Sequence, residues 1–325
     1  MDQGNATLVR ALSETARSAA HVPGRADSCR ACGRDADVLA QRPDGVVVRH
    51  GAAVAKAHAP GTDPEGHRLR LAVAAHPELD GILLAPIDAV DGAGAQVAGR
   101  PVTAWPYGSP VDPTAPEDAP WEAVARLLAR LHRVPLERLP GPLPPMRGPL
   151  KAAAAVERLP RHPDARPVQA AWRSLPAWAR GEAPAPCHPP RLCHGDLHLG
   201  QLVRHPAHQG PWLLIDVDDL GLGDPAWDLA RPAAWFAAGL LAPDDWNRFL
   251  AAYREAGGPA VPPAPGDPWP QLDVPARALT VQTAALGLAR SAREGREPDE
   301  VEQLMIGACA RIASLPTDLD GSAPS

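Results

Sequence analysis

The first third of the chain carries its apolar residues in short runs, after one stretch with helical spacing. Residues 8–20 place apolar positions on one face of a helix and predict a short amphipathic helix. Three short β-branched runs over 37–41, 45–49 and 52–58 follow, and turn signals such as Pro43-Asp44-Gly45 separate them. This pattern predicts an antiparallel meander of three strands.

A second group of elements completes the N-terminal region. Thr62-Asp63-Pro64 places a capping residue before a proline, so it predicts a helix that runs to about residue 75. The runs 82–86 and 101–105 predict two more strands. The segment Trp105–Gly108 follows them as a stiff crossing segment.

From about residue 112 the apolar spacing becomes that of helices. Trp121–Arg133 has apolar residues at positions i, i+3, i+4 and i+7. Four further helices are predicted over 166–180, 244–256, 274–292 and 298–313. Two short apolar runs, 191–193 and 212–215, lie between the helices, and each leads directly into a polar cluster.

The order of strands first and helices second indicates an α+β fold with two lobes. We expect a small antiparallel β N-terminal lobe with a leading helix over 1–110. A larger, mainly helical C-terminal lobe over 111–315 should follow it. The tail over 316–325 is expected to be disordered.

The composition excludes several classes of function. The 325 residues include 38 acidic and 32 basic side chains, for a net charge of −6, so no basic excess is available to bind nucleic acid. No apolar run reaches the roughly 18 residues that span a bilayer. The first residues show no signal peptide. We therefore expect a cytoplasmic monomer or homodimer that binds neither nucleic acid nor membrane.

The five cysteines are not expected to form a disulfide framework, because their number is odd and no signal peptide is visible. Cys29 and Cys32 have the spacing of half a zinc site. Cys187 and Cys193, the candidates to complete it, are spaced unlike a zinc knuckle. We therefore expect free thiols.

Lysine is scarce in this chain. Of the 32 basic residues only Lys56 and Lys151 are lysine, a bias that a GC-rich genome explains. Lysine carries a compact charge that the planar fork of arginine does not copy, so a lysine that survives this bias is informative. Lys56, in the third predicted strand, is a candidate functional residue, whereas arginines such as Arg204 and Arg231 are expected to be solvated.

The polar clusters after the two short apolar runs have the parts that phosphoryl transfer needs. Several carboxylates at the end of an apolar strand are costly unless they are paired or bound to a metal such as Mg²⁺. The reaction requires a cation on the nucleotide phosphates, metal ligands, and a carboxylate beside the attacking hydroxyl. Lys56 fits the first role, Asp216 and Gln201 fit the second, and Asp196 fits the third.

The motif His194-Gly195-Asp196, with the amide Gln201 five residues later and Asp216 twenty residues later, resembles the aminoglycoside phosphotransferase family. Choline, fructosamine and maltose kinases are relatives of that family. The segment 223–230 and the strand around Lys56 are also similar to it, and the resemblance covers about residues 37–290. It implies a protein-kinase-like bilobal fold and the use of ATP and Mg²⁺. In such a fold the N-terminal lobe over 1–110 would bind nucleotide, and the C-terminal lobe over 111–315 would carry the catalytic loop, the metal site and the acceptor site.

The resemblance also implies a role for each matching residue of the catalytic region. Asp196 is the catalytic base or the group that orients the hydroxyl, and His194 orients the catalytic loop. Gln201 and Asp216 bind Mg²⁺, and Asp218 is a second metal candidate. The family usually has asparagine where this chain has Gln201, which presents the same amide oxygen on a longer arm.

On the nucleotide side, the resemblance implies that Lys56 holds the α- and β-phosphates. Trp105 and Tyr107 lie in the hinge against which adenine stacks. No glycine-rich loop precedes Lys56, so the turn at Asp44 and Gly45 must cover the phosphates unaided. The acidic partner of Lys56 is not identified.

The sequence therefore predicts an ATP-dependent phosphotransferase that moves the γ-phosphate to a hydroxyl of a small molecule. The acceptor classes considered are aminoglycoside-like, sugar-like and amino-alcohol-like. One alternative is a nucleotide-binding, pseudokinase-like module with little turnover. Another is a metal-dependent hydrolase that uses His194, His198 and Asp216.

Overall fold

The computed structural model of the protein describes residues 3–21, 31–42, 44–87, 96–186 and 189–315. The expected tail over 316–325 lies outside the described residues, as do Pro43, Cys29 and Cys187.

The strands are short. In chain order they are β1 (Asp37–Arg42), β2 (Gly45–His50), β3 (Ala53–Ala57), β4 (Gln96–Val97), β5 (Arg100–Pro106), β6 (Ser109–Pro110), β7 (Arg191–Cys193), β8 (Leu202–Arg204), β9 (Trp212–Leu214) and β10 (Gly221–Gly223).

Most of the remaining structure is helical. The helices are α1 (Gln3–Ala20), α2 (Pro64–Ala74), α3 (Trp121–Leu131), α4 (Gly148–Glu157), α5 (Ala165–Ser174), α6 (Ala226–Ala238), α7 (Pro243–Glu255), α8 (Trp269–Glu294) and α9 (Glu300–Ala313). In the described part of the chain, none of them is both long and apolar enough to cross a membrane.

The chain divides into two compact units that are not contiguous in sequence. Unit 1 comprises residues 1–118, 137–143 and 200–218, and unit 2 comprises residues 119–136, 144–199 and 219–325. The antiparallel sheet of the N-terminal region and the helical character of the C-terminal region confirm the predicted α+β class.

Unit 1 is built on an antiparallel sheet with strand order β1-β2-β3-β5-β4. Because side chains alternate along a strand, its two faces differ. One face buries Val46, Val48 and Ala55 against Leu8 and Leu12 of α1. This packing explains the amphipathic pattern of α1.

The opposite face of the same sheet carries polar groups. The register pairs Lys56 of β3 with Val47 of β2 and with Thr103 of β5, so these three side chains share that face. A smaller sheet of strand order β6-β8-β9 completes unit 1. It places the end of β9 at the start of the second polar cluster.

The core of unit 2 lies among α4, α5, α8 and α9. It buries small and branched residues such as Val168, Val281, Leu288 and Ile306. A two-stranded antiparallel sheet of β7 and β10 also belongs to this unit. The first polar cluster follows directly after β7.

Most predicted elements are present, and the differences have identifiable causes. Residues 82–86 do not form a strand, because Leu83 makes only an isolated bridge with Leu214. Helix α5 ends at Ser174 rather than at residue 180, since Leu175 precedes Pro176 and is extended. Helix α6 was not predicted, because Pro232 interrupts its pattern.

The N-terminal signal for α2 is confirmed. Asp63 is the N-cap, and its carboxylate accepts hydrogen bonds from the backbone N–H groups of Glu65 and Gly66. Pro64 follows in the first turn, where its missing N–H costs nothing.

Candidate functional site

Lys56 pairs with two carboxylates in unit 1. Its Nζ lies 2.6 Å from Asp216 Oδ1 and 2.9 Å from Asp218 Oδ2. Burial lowers the pKa of Lys56, but the two carboxylates outweigh it and raise that pKa to about 12. Lys56 is therefore a permanent cation, and these aspartates are the acidic partners that sequence reasoning did not find.

Asp218 is held on both oxygens. His58 Nδ1 lies 2.7 Å from Oδ1, and Lys56 engages Oδ2. Although burial raises the pKa of Asp218, the hydrogen bond from His58 and the charge of Lys56 lower it well below its usual range. We call Lys56, His58, Asp216 and Asp218 the Lys56 cluster.

The second ring nitrogen of His58 is also held by hydrogen bonds. His58 Nε2 lies 2.7 Å from Thr103 Oγ1, which also accepts a 2.8 Å hydrogen bond from Trp105 Nε1. With its hydrogen on Nδ1, His58 donates to Asp218 and accepts from the Thr103 hydroxyl. These hydrogen bonds thus fix the rotamer of His58 and the position of Asp218.

Asp216 and Gln201 come together beside Lys56. The N–H of Ile215 donates to the carbonyl oxygen of Gln201 at 2.9 Å, and Gln201 Nε2 lies 3.5 Å from Asp216 Oδ2. Asp216 has a φ of 65°, a left-handed backbone conformation that is uncommon for residues other than glycine but that aspartate adopts more readily than most. A carboxylate and an amide oxygen are the hard ligands that Mg²⁺ prefers, so these residues fit that ion.

The predicted nucleotide residues lie on the same unit. A Cβ added to Gly45 would lie 4.0 Å from Lys56 Cε, so the Asp44–Gly45 turn adjoins the lysine stem. Trp105 is largely buried in β5. The N–H of Tyr107 donates to the carbonyl oxygen of Ala52, and its ring lies under the Arg49 guanidinium at 3.4 Å.

In unit 2, two cationic side chains bind the carboxylate of Asp196. Lys151 Nζ lies 2.7 Å from Oδ2, and Arg231 Nη2 lies 2.9 Å from Oδ1. Burial raises the pKa of Asp196, but Lys151 and Arg231 outweigh it and bring the pKa to about 2. The carboxylate is therefore ionised at neutral pH.

Lys151 also binds Asp219, whose Oδ2 lies 2.6 Å from its Nζ. Arg147 Nη1 approaches the other oxygen of Asp219 at 3.6 Å. We call Asp196, Asp219, Lys151, Arg147 and Arg231 the Asp196 cluster.

Sequence reasoning missed part of this cluster. Arg231 was expected to be solvated, and this is wrong, because its side chain binds Asp196 and donates from Nε to the carbonyl oxygen of Leu197 at 2.9 Å. The scarcity of lysine could also have indicated a functional role for Lys151, but only Lys56 was named as a candidate functional residue.

A buried carboxylate fixes the backbone of the His194–Asp196 motif. Asp228 accepts hydrogen bonds from the N–H groups of His194 at 2.7 Å and Gly195 at 2.8 Å. His132 Nε2 lies 2.9 Å from the same carboxylate, and His132 Nδ1 lies 2.8 Å from Tyr253 Oη. His194 is fully buried and belongs to this bracing network.

Gly195 is required at its position. Its φ is 84°, and an added Cβ would lie 2.3 Å from the carbonyl oxygen of Asp219. Any side chain there would push the loop away from Asp219.

The comparisons with known proteins agree with this geometry. The model of the phosphotransferase enzyme family matches residues 44–269, which is more than half of the chain. A search of curated proteins found no match.

Solved structures share the fold at low sequence identity. A choline/ethanolamine kinase family protein from Mesorhizobium loti is 14% identical, with a TM-score of 0.55 over 93% of this chain and 95% of that one. Choline kinase from Cryptosporidium parvum is 9% identical, with a TM-score of 0.58 over 95% and 94%. A thermostable mutant of aminoglycoside phosphotransferase APH(4)-Ia, in complex with AMP-PNP and hygromycin B, is 15% identical, with a TM-score of 0.54 over 86% and 93%.

The predicted resemblance is thus confirmed, and the fold is that of kinase-like phosphotransferases. With the family model matched from the first hairpin of the sheet to the start of α8, the chain belongs to the phosphotransferase enzyme family.

Proposed function

We propose that the protein transfers the γ-phosphate of ATP to a hydroxyl group of a small molecule. The observation that carries this proposal is the pair of lysine-centred clusters, because the only two lysines of the chain each bind two aspartates of the predicted motifs. Support for a nucleotide donor comes from the related aminoglycoside phosphotransferase that was solved with AMP-PNP.

The Lys56 cluster serves the donor in this proposal. Lys56 holds the α- and β-phosphates under the Asp44–Gly45 turn, and the segment with Trp105 and Tyr107 receives the adenine. Asp216 and Gln201 hold Mg²⁺, which when bound neutralises charge on the phosphates. Asp218 has short contacts on both oxygens, 2.7 Å to His58 and 2.9 Å to Lys56, so we assign it to positioning Lys56. The contact of Asp216 Oδ2 with Gln201 Nε2 is longer, at 3.5 Å, so we keep Asp216 as the metal ligand.

Asp196 serves the acceptor. With a pKa of about 2, it is a weak base before the reaction, so its first task is to accept a hydrogen bond from the hydroxyl and orient it. The proton passes to Asp196 as the bond between the hydroxyl oxygen and the γ-phosphorus forms and the bond between that phosphorus and the leaving oxygen of ADP breaks. This timing suits the loose transition state of phosphoryl transfer, in which little charge develops on the attacking oxygen early.

The charges of the Asp196 cluster favour a sugar-like acceptor among the three classes. Its two carboxylates are bound by three cations, Lys151, Arg147 and Arg231, so they offer little attraction to a polycation. A polycationic aminoglycoside would meet like charge there, whereas a neutral polyol would not.

The direct test is a ³¹P NMR screen of the full chain with ATP, Mg²⁺ and matched acceptors. Glucose and glucosamine form one pair that differs by one amine, and hygromycin B and ethanolamine extend the cationic side. We expect a phosphomonoester signal with neutral sugars and weaker or no signal with hygromycin B. Preferential phosphorylation of hygromycin B would contradict the acceptor assignment but not the phosphotransfer.

The module with little turnover is the second candidate, and Gln201 and the missing glycine-rich loop favour it. It predicts that ATP and Mg²⁺ raise the melting temperature while no acceptor in the screen is phosphorylated. The hydrolase alternative is disfavoured, because in the described chain no group of three potential metal ligands includes His194 or His198.

A further inference from the structure

Three side chains of unit 1 converge at the end of α1, away from Lys56. Cys32 Sγ lies 3.6 Å from His21 Nε2 and 3.6 Å from His50 Nε2. One ligand atom from each residue lies within 4.8 Å of the other two. The three residues come from three separate places in the sequence, the end of α1, a turn before β1, and the end of β2.

The two sulfur–nitrogen distances match the edge of a zinc tetrahedron. With Zn–S near 2.3 Å and Zn–N near 2.0–2.1 Å, tetrahedral angles place sulfur and nitrogen about 3.5 Å apart. An ordinary contact between a thiol and two imidazoles does not require both distances to take this value. The thiolate and imidazole groups are also the donors that zinc selects.

The sequence supplies a second, independent observation. Cys32 is the second cysteine of the pair Cys29-x-x-Cys32, the spacing found in zinc sites. Cys29 lies outside the described residues and is not among the three proposed ligands. We propose that His21, Cys32 and His50 bind a structural Zn²⁺ ion.

Two other clusters of potential ligands fit a metal less well. In the cluster of His58, His67 and Asp218, the two carboxylate oxygens of Asp218 are already bound by His58 and Lys56. In the cluster of His132, Cys193 and Asp228, the histidine and the carboxylate are used in the network that braces the catalytic motif.

The proposed zinc site has a structural role. His21 directly follows α1, and its N–H still donates to the carbonyl oxygen of Arg17 at 3.2 Å. His50 ends β2 on the face of the sheet that α1 covers, because its register partner Ala53 precedes Ala55 by two residues. The ion would tie α1 to the sheet on the face opposite Lys56, so its removal should destabilise unit 1.

The experiment is metal analysis of the full chain after removal of any affinity tag. We expect about one zinc ion per chain by inductively coupled plasma mass spectrometry, since the three side chains form a single site. Cys32→Ser and His50→Gln should lose most of that zinc, and chelation should lower the melting temperature of the wild type. His208→Gln, a change at an exposed histidine, and His67→Gln should keep it.

Cobalt substitution of the wild type gives a second measurement, which does not depend on whether the variants fold. The expected result is a near-ultraviolet charge-transfer band from thiolate to Co²⁺. Wild-type protein with neither zinc nor that band would overturn the proposal. So would full zinc content in both Cys32→Ser and His50→Gln, or zinc lost only in His67→Gln.

Discussion

Lys151 Nζ lies 2.7 Å from Asp196 Oδ2, so the second lysine of the chain binds the carboxylate that we assign to the acceptor hydroxyl. Lys151 is on α4 and Asp196 follows β7, and the same ammonium also reaches Asp219. The contact keeps Asp196 ionised and fixes the direction of its free lone pairs. The function of Lys151 is therefore positional as well as electrostatic.

Replacement of Lys151 by glutamine should raise the pKa of Asp196 from about 2 towards its ordinary value, because one of its two cations is removed. The acidic limb of the kcat/KM profile should move to higher pH, and kcat should fall. Arg161→Gln, at an exposed arginine of the same unit, is the control. An unmoved acidic limb in Lys151→Gln would contradict the positional role.

The same variant tests the pH dependence of stability. A carboxylate with a lowered folded pKa contributes stability above its unfolded pKa of about 3.9, and that contribution is lost as the pH falls through the folded value. The difference in free energy of unfolding between wild type and Lys151→Gln should therefore be full at pH 6. It should disappear between about pH 4 and pH 2, and urea unfolding at stepped pH measures it.

Lys56→Arg should impair nucleotide use although it keeps the charge. The guanidinium is planar and larger than the ammonium, which now fits between Asp216 and Asp218 at 2.6 and 2.9 Å. We expect kcat/KM for ATP to fall by about tenfold or more, the equivalent of about 1.4 kcal/mol. Steady-state kinetics with varied ATP measures it, and unchanged KM and kcat would remove Lys56 from the donor site.

The proposed metal site predicts different effects for substitutions of two neighbouring residues, Asp216 and Gln201. Asp216→Asn should abolish Mg²⁺-dependent turnover, because the only charged ligand proposed for the ion is lost. Gln201→Asn should keep turnover but require more Mg²⁺, because the shorter side chain reaches less far towards an ion bound at Asp216. Mg²⁺ titrations of activity distinguish the two variants, and full activity of Asp216→Asn would refute the assignment.

Asp228 offers a test of the loop that carries Asp196. Asp228→Ala leaves the N–H groups of His194 and Gly195 and the ring of His132 without their acceptor in a buried site. We expect the free energy of unfolding to fall by about 3 kcal/mol, as for other broken buried pairs. Urea denaturation gives the value, and a loss below about 0.5 kcal/mol, typical of surface changes, would show that Asp228 does not brace the loop.

The local parts of the site could be predicted from the sequence, and the long-range parts could not. His194–Asp196 and Asp216 follow short apolar runs, so their place after β7 and β9 could be inferred from neighbouring residues alone. Arg231 lies on α6 and binds Asp196. Because Pro232 interrupts the apolar pattern of α6, this helix was not predicted from the sequence. Its role depends on helix packing, which no local pattern encodes.

The same distinction applies in unit 1. The alternation around Lys56 placed it on a strand, but its contact with Asp216 spans 160 residues, as does the contact of His58 with Asp218. The spacing of Cys29 and Cys32 indicated half of a zinc site, whereas His21 and His50 have no motif spacing and are brought to Cys32 only by α1 and β2.

The most direct test of the phosphotransferase proposal is a single-turnover measurement of Asp196→Asn with ATP, Mg²⁺ and an acceptor that the wild type phosphorylates. The asparagine keeps the size of the side chain but cannot take the hydroxyl proton. Transfer should slow by at least about a hundredfold, the low end for general-base catalysis, while ATP affinity stays unchanged. Transfer at the wild-type rate would contradict the assignment of Asp196 as the group that acts on the acceptor.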